Sequence, residues 1–397
     1  MRLFAIAGAF FIAASAGAMA EPTATTTVPI QYEDARAYVQ GFAQGQDLGW
    51  FILDDGFGSV ALDSETAARL HLAAGNDVSA SGAGTGKLRL GVVPALDLDI
   101  GADRIQARSV KVGPFDKLLS PYTGRHVPGI VGAAFFQQRV VEVDFPNGLL
   151  RLHDPTTYVY RGAGTRVPFE FDGTAPIVRA TLSLPDGRTL AARLFVDLGA
   201  KAPLLLTEPF LRRHAVAAAF GTSVVSPLGA GVGGETHYMF VRLPAFALEP
   251  QGAPICSNCI AGLSVGGTLR DSDFDGLLGA EFLHSFNVIF DYPHRQIIFE
   301  AGQAGDQAFD RSGLFLIADG PALNRFVVRS VSPNSPAAAA MIAPGDRLVA
   351  IDGRSVAPLR LADIRDRLKA QPGTVVALEL ERAGKSIAAR LTLRDQL

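Results

Sequence analysis

Phe51-Ile52-Leu53-Asp54-Asp55-Gly56 is an apolar run that stops on carboxylates and a glycine, and Leu194-Phe195-Val196-Asp197-Leu198-Gly199 repeats it later in the chain. A buried strand that ends in an ionisable group needs a local reason, because an unpaired charge in apolar surroundings is costly. Asp and Gly are ordinary turn residues, so a single copy reads as a turn. Two copies with matched surroundings read as a site.

The surroundings do match. After Asp54 come a strand at 59–62, a helix at 64–71 capped by Asp63, a Gly-rich stretch at 79–86, strands at 87–92 and 95–100, the segment Pro128-Gly129-Ile130-Val131-Gly132, a helical patch at 133–137 and a strand at 140–144. After Asp197 the same order returns: a strand at 203–206, a helix from Thr207 to His214, a Gly-rich stretch at 229–234, Asp275-Gly276-Leu277-Leu278-Gly279, a helical patch at 280–285 and a strand at 288–291. Landmarks in one order at nearly constant separation predict two similar lobes produced by internal duplication.

Composition is consistent with that reading. The 397 residues are 48% hydrophobic and carry a formal charge of -3, enough for sizeable cores and without the basic surface a nucleic-acid binder needs. Its 42 glycines and 24 prolines favour short strands and turns. Residues 1–20 have an early Arg2, an apolar run through Phe10, Phe11 and Ile12, and Ala18-Met19-Ala20 before Glu21, the pattern of a secretory signal peptide. A periplasmic or secreted protein with no permanent membrane span is therefore expected. In such a compartment Cys256 and Cys259, the two cysteines of the chain, are expected to form a local disulfide.

Two lobes meeting at their repeated turns would bring Asp54 and Asp197 together. Adjacent carboxyls cannot both ionise freely, so they share a proton and titrate in two steps. One then serves as base toward a water while the other, protonated, polarises a carbonyl. On these residues both halves resemble lobes of retropepsin-like and pepsin-like aspartic peptidases, in which an apolar strand, an Asp-Thr/Ser-Gly triplet and a later apolar-apolar-Gly segment form the core; Ile130-Val131-Gly132 and Leu277-Leu278-Gly279 match that segment. The resemblance implies a mainly β fold: lobes of small β-barrel type at 28–160 and 165–300, each with a flap hairpin over a shared cleft. It makes Asp54 and Asp197 catalytic, with Gly56, Gly199, Gly132 and Gly279 supporting the active loops. Flap candidates are Gly82, Gly84, Gly231, Gly233 and Tyr238. The triplets depart from the family at one place, because Asp55 and Leu198 stand where the family has hydroxyls that cross-link the loops. Two functions stay open: an exported endopeptidase, and a catalytically impaired relative that holds peptides or proteins as a periplasmic scaffold.

Competing motifs fall away. Gly229, Gly231 and Gly234 have dinucleotide spacing, but a strand-like segment follows where a helix is required. Gly262-Leu263-Ser264-Val265-Gly266 spells a nucleophile elbow without the helix that should follow it. The histidines show no helical pair at metal spacing, and no cofactor is expected.

From residue 305 to 397 the pattern changes. Strands at 326–331, 345–353, 375–381 and 386–393 surround a helix at 361–370 with Leu361, Ile364 and Leu368 on one side. This resembles a PDZ domain, most specifically at Gly345-Asp346 and Ile351-Asp352-Gly353. The resemblance implies that polypeptide substrates or protein C-termini add a strand to a sheet edge, with Gly313, Leu314, Phe315 and Leu316 forming the amide loop that takes the terminal carboxylate.

Overall fold

The structure, a computed structural model, describes residues 25–80, 84, 86–231, 233–250, 254–265, 273–302 and 308–397. The signal-peptide pattern at 1–20 and the flap candidate Gly82 lie outside the described residues. The chain is mainly β, and among the described residues no helix is long and apolar enough to cross a membrane.

Strand Gln46–Leu53 shows why its sequence is a continuous apolar run. Phe51 and Leu53 face the large common core, whereas Ile52 faces a second cluster with Tyr38, Leu90, Phe115 and Ile130. A strand buried on both faces loses the polar alternation of a half-exposed one. Strand Thr189–Asp197 repeats the arrangement, with Leu194 and Val196 in the common core and Phe195 against Ile177, Leu205 and Tyr238.

Around these strands two sheets are wired alike. In the first lobe the order is Arg36–Ala43, Gln46–Leu53, Gly129–Val131, Val60–Asp63, Asp103–Gly113, Leu88–Ile100 and Gly75–Ala80. In the second it is Ala175–Ser183, Thr189–Asp197, Gly276–Gly279, Leu204–Leu206, Pro254–Ser264, Gly234–Leu248 and Val224–Gly231. Strand directions agree pair by pair, including the two parallel pairings in each lobe. Each sheet also curls so that its sixth strand meets its first, through Phe42 with Asp99 in one lobe and Ala180 with Leu248 in the other.

The lobes are joined through their backbones. Val140–Asp144 pairs antiparallel with Phe286–Asp291, in the register Val141 with Phe290 and Val143 with Val288. Outward from this seam lie Leu149–His153 and Thr26–Glu33 on one side, and Gln296–Ala301 and Thr165–Pro168 on the other. Asp144 and Asp291 end the seam strands and receive the turn amides of Asn147 and His294.

The helices anticipated near Asp63, Thr207, Gly132 and Gly279 are present as Ser64–Arg69, Glu208–Arg213, Ala133–Phe136 and Ala280–Leu283. A further helix, Phe115–Thr123, buries Phe115 and Leu119 and stops at Gly124, whose φ of 71° fits a glycine terminator.

The C-terminal module has its own sheet and core, with Leu316, Phe326, Val328, Leu348, Leu378 and Leu391 packed against helix Leu361–Leu368. Strand Leu314–Asp319 is an edge of that sheet, beside the helix.

Candidate active site

Each carboxylate strand is held by the short strand beside it. Leu53 is in parallel register with Val131, and Asp197 with Gly279. The Asp54 amide donates to the Val131 carbonyl at 3.0 Å. Both turns are then closed in the same way, Ala133 N–H to Phe57 O at 2.7 Å and Ala280 N–H to Ala200 O at 2.8 Å. Gly132 and Gly279 permit this closure by their size: a Cβ at Gly279 would lie 2.6 Å from Ala200 O, and one at Gly132 would strike the carbonyls of Phe57 and Ser59.

Across the lobe boundary the seating is reciprocal. A Cβ at Gly199 would lie 2.5 Å from an Asp54 carboxyl oxygen, and a Cβ at Gly56 would lie 2.8 Å from Asp197 Oδ1. Each aspartate therefore rests on the turn glycine of the opposite lobe, and the two carboxyls share one floor. Phe57 N–H donates to Asp54 Oδ1 at 2.9 Å, while Gly199 and Ala200 N–H donate to Asp197 Oδ1 at 3.0 and 3.2 Å. Both residues keep partial solvent exposure, as groups on the floor of a cleft do.

Burial pushes the Asp54 carboxyl up to about 6, against the backbone donors Phe57 and Gly56 and the charge of Arg36. Asp197 is raised well above the usual carboxylate range by burial and then by the charges of Asp54 and Asp55. Like charges in a confined polar floor produce two separated protonation steps that belong to the pair.

Asp55 has turned away from this floor and is fully buried. Its Oδ1 accepts from Leu198 N–H of the other lobe at 2.6 Å, and its Oδ2 from the Tyr292 hydroxyl at 3.0 Å. Asp55 thus cross-links the two loops from the second position of the first Asp-x-Gly triplet, and Leu198 contributes its backbone instead of a side chain. The Tyr292 ring is fixed by Phe136, Phe169 and Phe171. Burial raises the Asp55 carboxyl to about 7 despite these donors. Neither role was read from sequence. The available signals were an acid in the hydroxyl position and a tyrosine directly after Asp291, where the first lobe has Phe145.

Described residues of the two Gly-rich stretches meet across the lobes. Gly86 N–H donates to Gly233 O at 2.8 Å, and a Cβ at Gly84 would collide with the Gly233 backbone. Gly231 ends the outgoing strand of the second hairpin. The lobes therefore touch at the active-loop floor and again where Gly84 and Gly86 meet Gly233. Tyr238 is not at a tip: it is 3% exposed on the returning strand among Ile177, Phe195 and Phe240, and burial, then the charge of Asp197, pushes its hydroxyl up to about 12.

The C-terminal module sits on the first lobe, and its expected peptide groove is bridged from within. Arg365 on helix Leu361–Leu368 donates to Leu316 O of the edge strand at 2.7 Å and to Tyr122 O of the first lobe at 2.8 Å. It also pairs with Asp34, a buried carboxylate that binds Lys201 beside the second active loop and lies 3.8 Å from Arg36. Burial raises Asp34, but Arg365, Lys201 and Arg36 outweigh it and hold the carboxyl at about 2. Glu235, next to the second hairpin tip, accepts from Tyr122 at 3.1 Å and from Arg329 of the module at 2.9 Å. Two amides of the expected carboxylate loop already have partners within the module. Gly313 N–H is taken by Asp310, Leu314 N–H by Ser312 Oγ at 3.0 Å, and Phe315 stacks near Tyr122 and Arg365. Cys256 and Cys259 are joined by a disulfide within strand Pro254–Ser264. Among the described residues no group of three or more His, Cys, Asp or Glu side chains is arranged to hold a metal ion.

Comparison with known proteins identifies the C-terminal module: residues 327–382 match the family model described as PDZ domain. Over 61 residues the chain is 46% identical to a protein of Agrobacterium fabrum (strain C58) that carries the name zinc metalloprotease Atu1380, covering 15% of this chain and 16% of that one. The chain thus spans about a sixth of that relative's length. Among solved structures, an aspartic proteinase from Irpex lacteus aligns over 70% of this chain and 98% of its own, with TM-score 0.45 and 15% identity. Basic 7S globulin from soybean aligns over 71% and 96%, with TM-score 0.43 and 14% identity. A photosystem II D1 C-terminal processing protease aligns over 21% and 22%, with TM-score 0.20 and 30% identity.

Proposed function

We propose that the chain is an exported aspartic endopeptidase that cuts extended polypeptides between its lobes. The observation that carries this reading is the reciprocal seating of Asp54 on Gly199 and Asp197 on Gly56. Arg36 favours the ionised form of Asp54, and the charges of Asp54 and Asp55 favour the protonated form of Asp197. Asp54 then removes a proton from a water whose oxygen bonds to the scissile carbonyl carbon, while Asp197 gives its proton to the carbonyl oxygen. The tetrahedral diol collapses as Asp54 returns a proton to the amide nitrogen, Asp197 recovers its own from a diol hydroxyl, and the C–N bond breaks. Water supplies the added atoms and no covalent enzyme intermediate forms. The contact between Gly86 and Gly233 must part to admit a chain between the lobes.

The PDZ domain acts in place in this scheme. It braces the first lobe and the second hairpin, and it accepts a peptide end by strand addition only when Arg365 leaves Leu316 O. Export follows from the pattern at residues 1–20, and a mature N-terminus at Glu21 in a periplasmic fraction would support it.

The test is cleavage of a diverse peptide mixture between pH 4 and 8 by the wild type, Asp54→Asn and Asp197→Asn. Each variant is expected to lose about 10²–10⁴-fold in rate, the usual worth of a positioned acid or base. Equal cleavage by all three would overturn the assignment. A second reading, a peptide-binding relative that does not cut, is favoured by the charge of Asp55, which raises Asp197 further although its carboxyl points away from the floor; tight binding without turnover by the wild type would establish it.

A further inference from the structure

A cavity of about 790 Å³ opens beside the first active loop. One wall is apolar, made by Phe57, whose amide holds Asp54, and by Val78 and Leu90 of the first hairpin. The neighbouring strand Asp103–Gly113 contributes Arg108 and Lys111 to the lining. No Asp or Glu lines the cavity, and among the described residues neither cation has a carboxylate partner.

Two features indicate that the cations are placed there by the fold. Arg108 and Lys111 are separated by an odd number of positions, so a regular strand would point them to opposite faces. Ser109 between them has a φ of 55°, the left-handed region, opposite a break in the ladder at Pro94. Register is kept across this break, but the buried positions pass from Ile105 and Ala107 to Val110, so the alternation slips by one and both side chains line one cavity. The strand is also tied to the active loop, because Ser59 Oγ donates to Arg108 O at 3.0 Å. Lys111 donates to Ser109 Oγ at 3.0 Å, which steadies its ammonium.

We propose that this cavity is the subsite for an acidic side chain of the bound polypeptide, and that Arg108 and Lys111 determine that selectivity. The inference rests on the peptidase or peptide-binding reading of the cleft. An extended chain advances about 3.3 Å per residue. A side chain entering beside Phe57 therefore belongs to a residue within a few positions of the bond at Asp54. The apolar part of the lining accepts the methylenes of a glutamate, while Arg108 and Lys111 on the neighbouring strand meet its carboxylate with two donors. Charge-assisted contacts of this type, partly open to solvent, give about a tenfold preference for Glu over the isosteric Gln.

The experiment pairs peptides that differ only by Glu or Gln, moving the substitution through every position on both sides of the cut bond. The ratio of kcat/KM within each pair is measured for the wild type and for the double variant Arg108→Gln, Lys111→Gln. In parallel, the affinity of the same peptides for the Asp54→Asn chain is measured by fluorescence anisotropy, which needs no turnover. The expected result is a preference of about tenfold for Glu at one position, shrinking as salt is raised and falling to about one in the double variant. Peptides that bind or are cut without any acidic preference would overturn this inference and leave the cleft assignment standing. So would a preference that survives the double substitution. A chain that neither binds nor cuts any peptide of the set would remove both readings.

Discussion

Replacing Asp55 separates its two contributions, a bridge between lobes and a buried charge. Asp55→Ala removes the acceptor for Leu198 N–H and the partner of the Tyr292 hydroxyl, both in the interior. A buried donor left unsatisfied costs about 1–3 kcal/mol, so for the two donors the expected loss is about 2–6 kcal/mol. Asp55→Asn keeps the bridge, since its amide oxygen accepts from Leu198 and its NH₂ donates to the tyrosine oxygen, and it deletes the charge. The folded carboxyl titrates at about 7, against about 3.9 for an ordinary aspartate, and 1.36 kcal/mol per unit gives a ceiling of about 4 kcal/mol. The folded state holds this proton longer than the unfolded chain. Its stabilising contribution is complete below about pH 4 and is lost as pH rises through 7. Urea unfolding from pH 4 to 8 should therefore show Asp55→Asn gaining on the wild type as pH rises, with Asp55→Ala below Asp55→Asn throughout. If Asp55→Ala and Asp55→Asn unfold at the same urea concentration at pH 5, the bridge does not hold the lobes and the reasoning fails.

Three other outcomes follow from the site. Gly199→Ala puts a methyl 2.5 Å from an Asp54 oxygen, so cleavage should fall at least about 100-fold while circular dichroism still reports a folded chain. The rate profile should rise near pH 6, where the first proton leaves the pair, and fall at higher pH as the second leaves; Asp55→Asn should shift the falling limb downward, because Asp55 raises Asp197. Arg365→Ala should open the edge of strand Leu314–Asp319 and strengthen binding of C-terminal peptides, measured by anisotropy. It should also weaken the fold above pH 4 by up to about 2–3 kcal/mol, because Asp34, held at about 2, contributes stability above the ordinary carboxylate range that is lost as pH falls.

The strands ending at Asp54 and Asp197 were legible because burial on both faces leaves an uninterrupted apolar run, and the matching turns because Gly132 and Gly279 are required by space. The direction of the Asp55 carboxyl was not legible. Its partner Tyr292 is brought to it only by the seam between Val140–Asp144 and Phe286–Asp291, a pairing that local sequence does not specify. Helix Phe115–Thr123 was disguised by Pro114 before it and Pro121 inside it. The groove-closing role of Arg365 depends on Asp34 and Tyr122, far away in the chain.

Asp34 gathers cations from both lobes and from the PDZ domain around one carboxylate. Removing the tail would therefore alter the two lobes themselves: Asp34 would lose the counter-ion Arg365, and Lys201, beside the second active loop, its ammonium pushed down first by burial and then by the like charges of Arg365 and Lys369, would be freed of those charges. A shortened chain that behaved differently would be reporting that change in the lobes, and its behaviour would say nothing about what the tail binds.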